Sequence, residues 1–200
     1  EYGNAEDAWL PIKATNYINI NCFWVSGKYK KQGYAKKLLN FAIEDAIKNN
    51  KDGLVTVVGT KKRHFMSDTK WFLKQGFIEI DSTDTGFSLL VKSFKENSTK
   101  PTFNPSVKKP IAKTKKGIVI YYTNRCPFAE FHALNSIQET AEKRKLPLQV
   151  IKLKTKEEAQ KAPSPATIFS LFLDGKFITT DISICMDSRF DKVLNKALTK

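Results

Sequence analysis

The chain has 200 residues, of which 41% are hydrophobic and 12% aromatic, and its 34 basic and 20 acidic side chains give a formal net charge of +14. This composition excludes a disordered or fibrous chain and predicts one large or two small globular domains. Three cysteines form no disulfide framework and no apolar run approaches the ~20 residues that span a bilayer, so we expect a cytoplasmic protein without membrane contact.

The first half of the chain, residues 1–94, alternates strand and helix patterns. Runs of β-branched and aromatic residues predict buried strands, and apolar residues at helical spacing predict helices. The predicted order is strand, helix, strand, helix, strand, strand, over residues 17–25, 35–48, 53–60, 69–75, 77–82 and 87–94. The chain opens at Glu1 without an initiator Met, inside what looks like a domain, so we expect part of this first domain to lie upstream.

A basic turn stands between the first predicted strand and its helix, in the stretch KYKKQGYAKKLL. Backbone N–H groups at a helix start favour anions. Gly33 and Ala35 are small, which lets a ligand approach the backbone closely. Positive charge comes from Lys30, Lys31 and Lys36. The stretch fits neither a Walker loop nor a GxGxxG turn, and it predicts a different kind of phosphate-binding loop.

This turn resembles the acetyl-CoA loop of the GNAT acetyltransferases, whose pattern is Gln/Arg-x-x-Gly-x-Gly/Ala. Lys30 takes the first position, and Gly33 and Ala35 fit the other two. The segment WFLKQGF at residues 71–77 is similar to the family's FYEKLGF helix end. The resemblance implies a GNAT-like acyl-CoA transferase domain over residues 1–94, within an α/β chain of mixed sheets.

The resemblance also implies the substrates and the site. Acetyl-CoA would be the donor, and an unidentified amine would attack its carbonyl directly, where the strands 17–25 and 53–60 splay. Backbone groups near Phe23 and Val25 would hold the pantetheine arm, with a backbone N–H near Val25 polarising the carbonyl. The implied cofactor-binding residues are Phe23, Val25, Lys30, Lys31, Gln32, Gly33, Tyr34, Ala35, Lys36 and Phe72.

The catalytic acid and base stay open. Many GNAT members have a Tyr where Phe72 stands, and Phe has no proton to donate to the leaving thiolate. His64 is a candidate base because it is the only histidine in this half and titrates near neutral pH. The alternative is that His64 is an ordinary exposed loop residue. No metal site is expected.

The segment KENSTKPTFNPSVKKPIAKTKK, residues 95–116, carries seven basic and one acidic side chain, nearly half of the net charge. Its three prolines and missing apolar periodicity predict a linker that divides the chain. Such charge can attract an anionic partner or simply solvate the surface. We do not expect nucleic acid, because the segment has no interleaved aromatics beyond Phe103.

The second half, residues 117–200, predicts the order β-α-β-α-β-β-α. Cys126 would begin the first helix, where the helix N-terminus stabilises a thiolate. With this order the half resembles a thioredoxin-like fold, and CPFA matches half of a CxxC motif with Ala129 in place of the second cysteine. A monothiol reaction at Cys126 stays possible; the alternative is a fold now used for binding. Core packing is expected for Cys22 and Cys185.

Taken together, three segments make nearly the whole chain similar to the YoaP-like acetyltransferases: WVSGKYKKQGYAKKLL, FMSDTKWFLKQGF and KTKEEAQKAPSP. The leading hypothesis is therefore an acetyl-CoA-dependent N-acetyltransferase with a thioredoxin-like second domain. One alternative is a monothiol redox or thiol-sensing protein acting through Cys126, and another is a non-catalytic module that binds CoA or a partner. The acceptor and the oligomeric state are left open.

Overall fold

Buried strands organise both halves of the chain in the computed structural model, which describes residues 1–199. The chain is a mixed α/β protein that divides into two units. The first unit contains Glu1–Ala8, Ile12–Lys62 and Met66–Asn104, and the second contains Trp9–Pro11, Arg63–Phe65 and the chain from Pro105 onward. The division at Asn104 falls inside the Lys/Pro-rich segment.

The first unit is built on a mixed five-stranded sheet in the order β1-β3-β4-β6-β5. Its strands are β1 (Tyr2–Asn4), β3 (Tyr17–Ile20), β4 (Gly53–Gly59), β5 (Ile78–Thr83) and β6 (Phe87–Ser93). Only β3 and β4 are parallel to each other, with Tyr17 opposite Gly53 and Ile20 opposite Thr56. A separate ribbon pairs β2 (Ile12–Lys13) with β7 (Thr102–Phe103), so part of the predicted linker belongs to this unit.

Two helices pack on one face of this sheet: α1 (Tyr34–Lys48) and α2 (Thr69–Lys74). Helix α1 buries Leu39, Ala42 and Ala46, a stripe at the spacing that places residues on one helix face. Helix α2 begins at Asp68, whose side chain accepts a hydrogen bond from the Trp71 N–H, as a good N-cap does.

The second unit contains a four-stranded mixed sheet in the order β11-β10-β8-β9. The strands are β8 (Ile118–Tyr122), β9 (Leu148–Lys152), β10 (Phe169–Leu173) and β11 (Lys176–Thr179), of which only β8 and β9 are parallel. Its helices are α3 (Pro105–Lys108), α4 (Pro127–Phe131), α5 (Ile137–Lys143), α6 (Lys156–Gln160) and α7 (Asp187–Leu198).

The long helix predicted after Cys126 is interrupted. A π-helical turn, His132–Ser136, joins α4 to α5. Its first and last side chains contact each other, with His132 Nδ1 2.7 Å from Ser136 Oγ. Local periodicity does not reveal such a turn, because one extra residue shifts the apolar stripe by only part of a turn.

The strand predicted over residues 17–25 is shorter than expected. It ends at Ile20, where the pairing with β4 also ends, and the residues that follow alternate between half-buried and exposed. Cys22 is exposed, so its expected core position was wrong. Within this stretch Phe23 packs against the buried cluster of the first unit, whereas Trp24 is 70% exposed.

Across residues 1–199, no helix combines the length and the hydropathy needed to span a membrane. The same residues include no group of three or more His, Cys, Asp or Glu side chains placed to hold a metal ion.

Candidate acyl-CoA site

The turn before α1 has an open, left-handed backbone at Gly33. This residue is the N-cap of α1, with φ of +81°, a conformation that glycine adopts at little cost. A Cβ placed on Gly33 would meet no atom within 4 Å. The position is therefore open space beside a helix start, and a ligand can approach the backbone there.

The start of α1 offers donors without acceptors. The first four N–H groups of any α-helix have no intrahelical partner, and the first intrahelical bond here joins the Lys37 N–H to the Gly33 carbonyl. No side chain caps this end. The N–H groups of Tyr34, Ala35 and Lys36 are thus at the positive end of a 15-residue helix, which favours an anion.

Lysines surround this helix start, and the first turn of α1 contains no acidic residue. The exposed lysines of the turn and of the first helical residues are Lys28, Lys30, Lys31, Lys36 and Lys37. Two tyrosines help to hold the turn, because the Tyr29 and Tyr34 rings meet edge to face at 6.0 Å. Gln32 Nε2 also donates to the Lys28 carbonyl over 2.9 Å.

A gap opens where β3 and β4 stop pairing. Their register ends at Ile20 opposite Thr56, yet β4 continues to Gly59. The buried Thr56 hydroxyl donates to the Ile20 carbonyl over 3.0 Å and closes the paired part. Beyond this bond, the edge of β4 that faced β3 has no ladder partner within the described residues, which leaves backbone groups for another extended chain.

The aromatic residues of the predicted site form one cluster. Phe23 is half-buried, with its ring 4.8 Å from Trp71 and 5.3 Å from Phe72. Phe72 is completely buried and also packs against Phe77. Phe72 therefore acts as a core residue that supports Phe23 from beneath, while Val25 is half-buried in the chain segment before the turn.

Sequence reasoning missed an apolar cavity of about 390 Å³ on the same unit. Its walls include Ile20, Cys22, Trp24, Leu38 and Phe41. Leu38 and Phe41 are three residues apart on α1, off the stripe that faces the sheet, and are exposed. These two residues form a second apolar stripe on α1, and this pattern in the sequence could have predicted the cavity.

The two candidate catalytic residues, His64 and Cys126, belong to the second unit, whereas Gly33 and its neighbours belong to the first. His64 is exposed, with Nε2 3.5 Å from Asp181 Oδ2, and its carbonyl accepts a hydrogen bond from Thr180 Oγ1. Cys126 is half-buried at the start of α4, and its side chain makes no capping hydrogen bond.

Cys185 is completely buried among the apolar residues of the second unit, which confirms its expected core position. Burial raises the pKa of the Cys185 thiol to about 12, and the nearby Asp181 carboxylate adds to this rise. The side chain therefore stays a neutral thiol at physiological pH and is no candidate nucleophile.

Comparison with known proteins gives a consistent family. A model of the YoaP-like family matches residues 147–192. The uncharacterized N-acetyltransferase YoaP of Bacillus subtilis (strain 168) is 42% identical over 195 residues, which cover 98% of this chain and 76% of that protein. An uncharacterized N-acetyltransferase of Staphylococcus epidermidis is 31% identical over 90 residues, covering 44% of this chain and 53% of the relative.

Among solved structures, a crystal structure described as an acetyltransferase from Agrobacterium tumefaciens is similar at 22% identity and a TM-score of 0.32. The similarity covers 40% of this chain and 58% of that one.

Proposed function

Because the chain belongs to the YoaP-like N-acetyltransferases of the GNAT superfamily, we propose that its first unit transfers an acetyl group from acetyl-CoA to an unidentified amine. Family membership makes the chain an acyltransferase that uses an acyl-CoA donor and an acceptor substrate. We propose three further points: that the transferred group is acetyl, which residues bind the donor, and how the reaction proceeds.

The observation that carries the proposal is the open helix start at Gly33. The CoA pyrophosphate is held by the N–H groups of Tyr34, Ala35 and Lys36, because these donors have no intrahelical acceptors. Gly33, with no side chain in the way, lets the phosphates reach them. The exposed Lys30 and Lys31 add positive charge next to the phosphates.

The pantetheine arm lies along the segment that contains Phe23 and Val25, in the gap where β3 and β4 separate. Extended chains add to free strand edges through backbone hydrogen bonds, and the edge of β4 beyond Thr56 offers such groups. Phe23 is held in place by Trp71 and Phe72, which keeps this wall rigid. In this arrangement Phe72 contributes by packing, without touching the solvent side of the site.

The reaction is a direct attack. The amine nitrogen forms a bond to the acetyl carbonyl carbon while a backbone N–H near Val25 stabilises the developing oxyanion. The carbon–sulfur bond breaks and CoA leaves as a thiolate. Since Phe72 has no proton to give, we assign protonation of the thiolate to water, and the proton of the attacking amine also passes to solvent.

For the second unit we propose a thioredoxin-like fold. Its support is the strand order β11-β10-β8-β9 with one parallel pair, and a helix that begins at Cys126 directly after β8. Ala129, completely buried, occupies the place of a second cysteine. A thiol reaction at Cys126 would therefore be an exchange with a separate disulfide: the Cys126 sulfur forms a mixed disulfide with one of its sulfurs, and the other sulfur leaves as a thiolate. This exchange is the second candidate activity of the chain.

Calorimetric titration of the full chain with acetyl-CoA tests the first proposal. We expect micromolar binding, about 8 kcal/mol, that is lost in Gly33→Trp because the indole fills the open space beside the helix start. Gly175→Trp is the matched control, since Gly175 also has φ near +80° and a Cβ placed on it would meet its neighbours at ordinary contact distances.

The two variants separate a blocked site from general damage. Both place a tryptophan in a left-handed turn, so both lose comparable stability in a thermal melt. Wild-type affinity in Gly175→Trp together with loss in Gly33→Trp supports the site. Undiminished acetyl-CoA binding in Gly33→Trp, or no binding by the wild-type chain, contradicts the proposal.

A further inference from the structure

We propose that the second unit binds a small organic anion, a phosphate or carboxylate on an apolar body, in a cavity between α3, α6 and the strands β8 and β9. The cavity measures about 510 Å³, within the range of small-molecule sites. All of its lining residues belong to the second unit, from Ser106 on α3 to Pro163 after α6. This inference does not depend on the transferase site.

The charge of the cavity is positive. Its lining includes Lys109, Lys113, Lys152 and Lys161. Lys152 is compensated, because its Nζ lies 2.7 Å from Glu130 Oε1. The other three lysines are exposed and form no salt bridge within residues 1–199. Three uncompensated cations around one concave surface attract an anion.

The acidic side chain at this cavity, Glu158, is held by hydrogen bonds at the start of α6. Glu158 is the one carboxylate in the lining. Its Oε2 accepts a hydrogen bond from the Lys154 N–H over 2.6 Å, while Thr155 Oγ1 accepts from the Glu158 N–H at the start of α6. The bond to Thr155 caps the helix, and the bond from Lys154 ties the carboxylate to the residue before the cap, so the carboxylate is held at the helix start as part of the fold.

Two hydroxyl groups add neutral donors. Tyr121 Oη accepts a hydrogen bond from the Lys113 N–H over 2.9 Å, which leaves its own proton for a ligand. Burial raises the pKa of Tyr121, so that proton stays in place at physiological pH. Ser106 Oγ is buried and has no hydrogen-bond partner in the described part of the chain. A ligand oxygen would satisfy both groups.

The remaining wall is apolar and explains why a bare inorganic ion is a poor match. Ile111, Ile151, Leu153 and Pro163 line the cavity beside the lysines. An apolar group buried there gains the hydrophobic contribution that phosphate alone cannot supply. Lys109 and Lys113 come from the segment 95–116, so part of its high charge acquires a binding role.

The test is an NMR titration of the ¹⁵N-labelled full chain with four probes: phenyl phosphate, benzoate, benzyl alcohol and inorganic phosphate. We expect phenyl phosphate or benzoate to shift the amide signals of Lys113, Tyr121 and Ala162, and the tighter of the two identifies the acidic group. Benzyl alcohol and inorganic phosphate, which each lack one half of the ligand, should bind at least about tenfold more weakly, since each loses about one favourable interaction of 1.4 kcal/mol.

Variants locate the charge. Lys109→Gln/Lys161→Gln should weaken binding about 25-fold, at about fivefold for each exposed charge. Lys192→Gln, an exposed lysine on α7 outside the cavity lining, is the control and should keep the wild-type affinity. Preserved signal dispersion in the amide spectrum shows that each variant is folded.

Three results would overturn the proposal. The first is that neither phenyl phosphate nor benzoate shifts the cavity amides. The second is that inorganic phosphate binds as tightly as phenyl phosphate, which leaves the apolar wall without a role. The third is that Lys192→Gln weakens binding about fivefold, as much as each charge removed in the double variant, which reduces the effect to general attraction between a basic protein and an anion.

Discussion

Two helix starts, each reached from a buried parallel strand, differ between the two units in the residue at the cap and in the charge around it. Helix α1 begins after Gly33, and α4 begins after Cys126. At the first, the cap residue has no side chain and the neighbouring side chains are lysines. At the second, the cap residue carries a thiol, Pro127 follows it and Glu130 lies in the first turn.

These differences change what a helix start can bind. Pro127 has no N–H, so α4 offers fewer donors than α1. Glu130, in the first turn of α4, forms an ion pair with Lys152. The same strand–turn–helix arrangement thus presents backbone donors and cations in one unit, and a single sulfur in the other. The difference between the two helix starts therefore depends on the N-cap residue, which is Gly33 in the first unit and Cys126 in the second.

The largest effect we expect concerns the packing that holds the first helix start. Leu39 is 2% exposed and Leu38 is 46% exposed on adjacent positions of α1. Leu39→Ala should lower the free energy of unfolding by about 2–5 kcal/mol, because it leaves a cavity against the sheet. Leu38→Ala should cost less than about 1 kcal/mol. Denaturant unfolding measures both, and equal losses would contradict the assigned orientation of α1.

A smaller effect concerns the charge around Gly33. Lys30→Gln/Lys31→Gln should weaken acetyl-CoA binding about 25-fold, at about fivefold for each exposed charge, and should flatten the salt dependence of the affinity. Lys48→Gln, at the other end of α1, is the matched control and should leave the affinity unchanged. Equal weakening by both variants would mean that total charge, and not the helix start, attracts the cofactor.

The smallest effect is expected from the second helix start. Cys126→Ser should leave the acetyl-CoA dissociation constant within about twofold, since Cys126 belongs to the second unit and the residues proposed to bind the donor belong to the first. A larger loss of affinity in the same titration would show that Cys126 contributes to the cofactor site. It would contradict the assignment of cofactor binding to the helix start at Gly33 alone.

Alkylation measures how accessible and reactive Cys126 is in comparison with the other two cysteines. With iodoacetamide at pH 8, Cys22 and Cys126 should react in the folded chain, because they are exposed and half-buried. Cys185 should react only on unfolding, since a thiol with a pKa of about 12 is ionised in about one molecule in ten thousand at that pH. Mass spectrometry of digested peptides distinguishes the three sites.

Much of the secondary structure was predictable from local patterns. The helix expected from Ala35 begins at Tyr34, and the helix that closes the order predicted for the second half is present at Asp187–Leu198. Local signals were sufficient here because apolar periodicity and caps act over a few residues. The short elements at Tyr2–Asn4 and Pro105–Lys108 were not predicted, since such pieces depend on what they pair with or pack against.

The candidate site was predictable in composition and less so in shape. The lysines, Gly33 and Ala35 could be identified in the sequence, and the resemblance to the GNAT loop suggested that they bind the donor. The residues that support the site were harder to place. Phe72, expected at the cofactor, is a core residue behind Phe23, because burial is decided by the whole sheet–helix interface.

The sequence by itself determined the local elements, the basic turn at Gly33 and the cysteine before Pro127, because spacing, caps and charge are properties of neighbouring residues. Only the tertiary structure decided where β3 and β4 part, that Phe72 is buried, and that lysines of residues 95–116 line a cavity with Tyr121 and Ser106. These features join residues far apart in the chain, and their positions follow from burying apolar surface over a whole unit.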